Sequence, residues 1–371
     1  MPRCRELPRE IKCRRKIAIL SDTAPSRVAC RELPQMARTW NDAKKWRNRR
    51  NLEEVVTTMP VIRDVTPDDS ESAQSSFSAP LGPSATYAFA GRSVVQVTSP
   101  YQHIEIVDLP AFGPLGRAYR LDGRFMASLA DAHICHECMV HPLLLAHGDV
   151  KRVLVIGGGD GGSAREALRH AGVTEVVVAE LDAQVPTTVL QHMSLLADGA
   201  FDDPRTTLVI GDARDFVEAA RIHGEQFDAV VFDLTEADGI AGPLHDAAFF
   251  AQVRAILTPR GGIAVQLGAP WFAPAQVRRM LDALRSVFTH VQPMTAYVPL
   301  YGSLWALAIA SDTLDVRAAD PSTLQAAARA ASPDALRGLR HYAVSRHAAL
   351  FDLAPDLIEI LNNSDTAPET R

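Results

Sequence analysis

Between Ser93 and Leu129 apolar and polar residues alternate in steps of two, the period of a sheet with one face in water. The pattern predicts strands over Ser93 to Thr98, His103 to Asp108, Ala118 to Leu121 and Arg124 to Leu129, with Leu121-Asp122-Gly123 as a turn. A helix is expected over Asp131 to Ala146. From there the period changes. Short apolar runs at Val153–Ile156, Val176–Ala179, Thr207–Ile210, Phe227–Phe232 and Gly262–Leu267 read as buried strands. Helical segments stand between them at 163–170, from Asp215, over Ala247–Leu257 and over Pro274–Phe288. His290 to Tyr297 and Ser303 to Ser311 close the series as a hairpin. Strands alternating with helices predict an α/β fold: a Rossmann-like, doubly wound, mostly parallel sheet with a small N-terminal antiparallel β domain.

Residues 1–86 lack a sustained apolar period and combine Arg-rich blocks with the Ser/Pro/Asp-rich stretch Thr66 to Ser84. They are expected to be an unordered leader, or an overextended start ahead of Met36 or Met59. The expected organisation is this leader, a β domain over 87–130, a catalytic domain over 131–325, and a helical segment with a tail over 326–371.

Composition narrows the classes. The chain carries a net charge of −6 over 371 residues, but residues 1–50 hold a balance of +10 and the remainder −16. An acidic body suits a polycationic small molecule and argues against nucleic acid as partner. The sequence contains no apolar run long enough to span a membrane, and its five cysteines form no disulfide framework. A cytoplasmic setting is expected.

The chemistry concentrates in the stretch 151–182. The run Val153–Ile156 enters Gly157-Gly158-Gly159-Asp160-Gly161-Gly162, and the next strand ends at Glu180. Gly157, Gly159 and Gly162 satisfy G-x-G-x-x-G, which alone would point to a dinucleotide, and Glu180 stands where an acid accepts ribose hydroxyls. Asp160 opposes that reading. A carboxylate where a pyrophosphate would sit repels it, and it welcomes a nucleoside with a cationic tail. Further acids, Asp212 and Asp233, end successive strands at the same carboxyl edge, where ligands bind in doubly wound sheets. The helix after the β domain carries His133, Cys135, His136, Glu137, Cys138 and His141. Cys135 and Cys138 have the C-x-x-C spacing, yet the folded part has no second cysteine pair for structural zinc and no thioredoxin-like turn. These residues are expected to share one helical face lining a cleft, with no metal.

The motifs Ser99-Pro-Tyr-Gln-His-Ile-Glu, Leu121-Asp-Gly, His136-Glu, Gly157-Gly-Gly-Asp-Gly-Gly, Glu180-Leu-Asp, Gly211-Asp, Phe227-Asp and Pro299-Leu-Tyr-Gly-Ser occur in this order. Together they resemble the polyamine aminopropyltransferases, the spermidine synthase family, from about Ser93 to Ser311, with features of the thermospermine and bacterial branches. The resemblance implies a methyltransferase-like fold, no cofactor, and transfer of the aminopropyl group of decarboxylated S-adenosylmethionine to a polyamine, releasing methylthioadenosine. Putrescine is the simplest acceptor; spermidine, a methyltransferase and a degenerate binding homologue are the alternatives. Carried over position by position, Gln102, Gly157, Gly159, Glu180, Asp212, Ala213 and Pro243 would hold the nucleoside. Asp160 would bind the aminopropyl ammonium, and His136 the polyamine. Asp233 would be the base, with Glu236 and Tyr301 helping to hold the amine. Homodimers or homotetramers are implied as well. Three positions depart from the family pattern: Cys135 stands in place of Tyr, Met126 in place of Gln, and Glu236 in place of Asp, with Ala237 where proline is usual.

Overall fold

The computed structural model describes residues 17–19, 63–64, 74–331, 336 and 338–362. Among these, an antiparallel sheet comes first. After β1 (Ile17–Ile19) and β2 (Arg63–Asp64) follow β3 (Ser75–Gly82), β4 (Ala85–Thr98), β5 (His103–Asp108), β6 (Arg117–Leu121) and β7 (Arg124–Ser128). Strand β4 is the hub, pairing with β2, β3 and β5, while β6 and β7 extend the meander.

The leader expected to be unordered therefore ends too late. Residues 75–82 form a strand, and β4 begins eight residues before the expected Ser93. The sequence SSFSAPLG hides a two-residue period behind small and polar residues. Its apolar members Phe77 and Ala79 are buried, and serines face outward. The short strands β1 and β2 also lie within the expected leader; its other residues before 74 lie outside the described ones.

Helix α1 (Ala132–His147) leads into the α/β body, composed of β8 (Arg152–Gly157), α2 (Gly162–Leu168), β9 (Glu175–Glu180), α3 (Gln184–His192), β10 (Thr206–Ile210), α4 (Ala213–Ile222), β11 (Phe227–Asp233), α5 (Ala247–Arg254), β12 (Leu257–Gly268), α6 (Pro274–Val287), β13 (His290–Val298) and β14 (Ser303–Ser311). The sheet order is β1-β10-β9-β8-β11-β12-β14-β13, parallel as far as β12 and antiparallel in the closing hairpin. Alternation within each strand feeds two cores. Val153 and Val155 pack with α1 and α2 on one face, whereas Leu154 and Ile156 pack with α4, α5 and α6 on the other. Helix α3 instead joins the antiparallel sheet: Val185 and Val189 cluster with Val97, Ile104, Tyr119 and Leu121. Among the described residues, no helix is long and apolar enough to cross a membrane.

Helix α7 (Pro321–Ala331) runs across the expected boundary at 325, and Leu324 and Ala328 enter the same core as α1. Two short helices follow, α8 (His347–Leu350) and α9 (Pro355–Asn362). The C-terminal segment is tied down by one buried side chain. Glu137 on α1 accepts backbone N–H bonds from Arg340, His341 and Tyr342, at 2.9, 2.8 and 2.7 Å. Removing the carboxylate orphans three donors in a site closed to water. Glu137→Ala is expected to lower stability by about 2–4 kcal/mol and to admit protease first near residue 340. Urea denaturation and limited proteolysis check both.

Candidate active site

The order β9-β8-β11-β12 places β8 at the reversal of the winding, so the crevice opens above the carboxyl ends of β8 and β11. Gly157 and Asp233 are register partners at those ends, and Glu180 is paired with Ile210 one strand further out. A cavity of about 340 Å³ sits there. Each residue expected at the site lines it: Gln102, His136, Gly157, Gly159, Asp160, Glu180, Asp212, Ala213, Asp233, Glu236, Pro243 and Tyr301.

The glycine loop works by shape. Gly157, Gly158 and Gly161 take left-handed φ values of 76°, 69° and 78°. Gly162 is required for another reason: a Cβ there would lie 2.1 Å from Cε1 of His136, so hydrogen in that position leaves room for the imidazole. The loop also explains why an anion is unwelcome. The N–H of Gly162 at the start of α2, which a phosphate could use, already donates to Asp160 Oδ1 at 2.7 Å. The other oxygen of Asp160 accepts from Tyr119 Oη at 3.1 Å.

His136 Nε2 stands 3.6 Å from Asp160 Oδ2 and 3.7 Å from Asp233 Oδ2. All three donor atoms lie within 4.8 Å of one another, an arrangement able to hold a cation, whether a metal ion or an ammonium group. Asp233 Oδ2 and His136 Nδ1 are buried without a hydrogen-bond partner. Asp233 Oδ1 has a 3.5 Å contact from Gln266 Nε2, the Ser163 hydroxyl lies beside the carboxyl, and Gln266 Oε1 accepts from Trp305 Nε1 at 3.1 Å. Burial pushes Asp233 up to about 6; the imidazole of His136 opposes this and the charge of Asp160 adds to it. A carboxyl that titrates there can give and take protons near neutrality.

At the other end, Glu180 accepts from the backbone N–H groups of Gly159 at 3.1 Å and Asp182 at 2.8 Å. Burial nevertheless raises it to about 7. Asp182 accepts from Ser99 Oγ and from Gln102 Nε2, which fixes the Gln102 amide at the cavity rim. Asp212 caps α4 through the Arg214 N–H, and the Arg214 guanidinium holds both its oxygens. Its charge is thus matched, unlike that of Asp233. Glu236 is likewise paired, with Arg124. Tyr301 Oη donates to the Met126 carbonyl at 2.7 Å.

The expectation that His133 to His141 share one cleft-lining face fails, because a helix of this length turns its sides to different neighbours. His136 lines the cavity, Glu137 holds the C-terminal segment, and Cys138 is in the core. His141 is bonded to Glu166 and His170 beneath α2. Cys135 and Cys138 are free thiols, both pushed up by burial, Cys138 to about 12, so neither is a thiolate at neutral pH.

The spermine/spermidine synthase domain family matches residues 132–318. The chain belongs to this family. It is 39% identical over 299 residues to the polyamine aminopropyltransferase of Nitrosomonas europaea, covering 80% of this chain and 89% of that one. Polyamine aminopropyltransferase 2 of Hyperthermus butylicus is 35% identical over 274 residues, 71% and 84% of the two chains. The fold superposes on a spermidine synthase crystallised with the transition-state analogue AdoDATO, with a TM-score of 0.70, 25% identity, and coverage of 81% of this chain and 97% of that one. The protein is a polyamine aminopropyltransferase.

Several cavity residues escaped the sequence reading. Gln266, near the end of β12, occupies the same edge as Glu180 and Asp233, so the strand-end rule that found the acids could have found it. Tyr119 and Trp305 carry no local signal, since lone aromatics in strands are usually core. Arg124, which pairs with Glu236 at the cavity's edge, shows in the sequence only as the start of a strand.

Burying two carboxyl groups whose acidity is weakened destabilises the free enzyme as they ionise. A raised folded-state pKa means the folded chain holds its proton longer, so stability falls as pH rises from the unfolded carboxyl range through about 6 to 7. Asp233→Asn is therefore expected to raise the Tm of the free enzyme at pH 8 by several degrees and to change it little at about pH 3.5, below the unfolded carboxyl value. Calorimetry at the two pH values checks this.

Proposed function

We propose that the enzyme transfers the aminopropyl group of decarboxylated S-adenosylmethionine to putrescine, giving spermidine and methylthioadenosine. The observation that carries this reading is the unpartnered, buried Asp233 oxygen facing His136 and Asp160 in one cavity. In this reading Glu180 accepts the ribose hydroxyls, with Gly157 and Gly159 allowing the nucleoside to approach. Gln102, Asp212, Ala213 and Pro243 border the rest of the nucleoside. Asp160 holds the donor's terminal ammonium, and Tyr119, by donating to one of its oxygens, keeps that carboxylate oriented.

The chemistry follows from charge. An alkyl ammonium has no lone pair and cannot attack carbon. Asp233 takes one proton from the acceptor ammonium, and the freed nitrogen pair forms a bond to the donor methylene next to sulfur. The carbon–sulfur bond breaks with its electrons going to sulfur, so the sulfonium becomes a neutral thioether. Because that leaving group is already activated, the remaining work is alignment, and His136, Tyr301 and Glu236 border the path of the amine. The ammonium supplies the positive charge that the His136–Asp160–Asp233 cluster lacks. Asp160 also explains a choice of donor: ordinary S-adenosylmethionine would press its own carboxylate against this buried acid.

Incubation with decarboxylated S-adenosylmethionine and a panel of amines, followed by product mass and methylthioadenosine release, is expected to give spermidine from putrescine as the main product. Spermine or thermospermine as the main product would instead assign spermidine as acceptor. Asp233→Asn is expected to bind methylthioadenosine as the parent does and to lose about 10²–10⁴-fold in turnover; equal turnover removes Asp233 as base. Since Asp233 must be ionised, kcat/KM should fall as pH drops through about 6, and EDTA should leave the activity intact. Asp160→Asn is expected to narrow the preference for the decarboxylated donor over S-adenosylmethionine; an unchanged preference assigns that selection elsewhere.

A further inference from the structure

An ion pair closes the acceptor end of the cavity. Arg124, the first residue of β7, crosses to the loop after β11, where one guanidinium nitrogen pairs with Glu236 and another donates to Asp238 Oδ2 at 2.7 Å. Behind it lies a second cavity of about 430 Å³, between the β3–β4 turn and the start of α6. Glu236 and Trp305 border both cavities. The Arg124–Glu236 pair and the Trp305 indole are therefore the partition between the reaction chamber and this outer chamber.

Four charged side chains line the outer chamber: Glu236, Asp238, Arg124 and Arg279. Their formal charges cancel. A diamine housed in the inner cavity meets Glu236 at the partition but not Asp238 or Arg279 beyond it. A longer polyamine whose tail crossed the partition would meet two carboxylates already satisfied by the Arg124 guanidinium. It would have to displace Arg124, which is three-quarters buried and held at two points. Without that cation, two carboxylates at the mouth of a largely apolar hollow would keep only Arg279 as counter-charge and would attract an ammonium group.

We propose that Arg124 is a specificity-determining residue. It closes and neutralises an outer chamber that would otherwise receive the distal ammonium of a longer polyamine, and so favours short diamines. The proposal deepens the acceptor assignment made above and rests on it for the direction of the wild-type preference. It concerns discrimination by length, not the transfer step, because Arg124 touches neither Asp160 nor Asp233.

The test compares kcat/KM for putrescine and spermidine, with decarboxylated S-adenosylmethionine as donor, in the wild type, Arg124→Ala, Arg124→Gln and Arg124→Lys. Both neutral variants are expected to raise the spermidine-to-putrescine ratio about tenfold or more, chiefly through a lower KM for spermidine. Arg124→Lys, which keeps the charge, should stay near the wild-type ratio. An unchanged ratio in the neutral variants overturns the proposal. So does an equal rise in Arg124→Lys, which would place the effect in shape rather than charge. Should Arg124→Ala fail to fold, Arg124→Gln, close in size, gives the same readout, and calorimetric binding of spermidine in the presence of methylthioadenosine replaces kinetics. The two readings fail separately: a wild type that prefers spermidine refutes the putrescine assignment, whereas the change in ratio on neutralising Arg124 reports on this residue whichever amine is preferred.

Discussion

Unmatched negative charge held away from water is the constraint on which this molecule turns. Asp160 is buried, and half-buried Asp233 has one oxygen shut from water and unpartnered, less than 4 Å from a shared imidazole. Elsewhere the chain matches its acids where it can: Asp212 has Arg214, Glu236 has Arg124, Glu137 has three peptide N–H groups and Glu166 has His141 with two arginines. The contrast marks the place where a cation from outside completes the electrostatics. Such a site is less stable empty than full, and its ligand contributes stability that the fold itself lacks.

The α/β body was legible because strand ends carry chemistry in a doubly wound sheet. The apolar runs located the five strands β8 to β12, and the acids that follow them lie at one edge, so the glycine turn and the acids of the cavity could be placed from sequence, though not its Gln266, Tyr119 or Trp305. What could not be read was partnership. Nothing local tells that Asp212 is neutralised by a neighbour two residues on while Asp233 is not, or that Glu137 faces away from its neighbour His136. Those are facts of side-chain direction set by packing.

The errors have a common physical cause. Residues 75–82 were missed because serine, proline and glycine dominate a strand in which two buried apolar side chains, Phe77 and Ala79, set the register. The residues 133–141 were over-read because an abundance of histidine and cysteine drew attention away from helical geometry, which sends positions 136, 137 and 141 to three different neighbours. In both segments a few buried positions set the structure while the commoner residue types around them face elsewhere.

Two of the residues that give the cavity its character come from outside the α/β body. Tyr119 and Arg124 belong to the small sheet, yet the first bonds to Asp160 in the glycine loop and the second to Glu236 in the loop after β11. An α/β body folded without that sheet would keep its glycine turn and its acids, but would lose the hydroxyl that orients Asp160 and the guanidinium that matches Glu236. The charge balance of the cavity is in that sense a joint property of two sheets, one supplying the carboxylates and the other the donors that hold them.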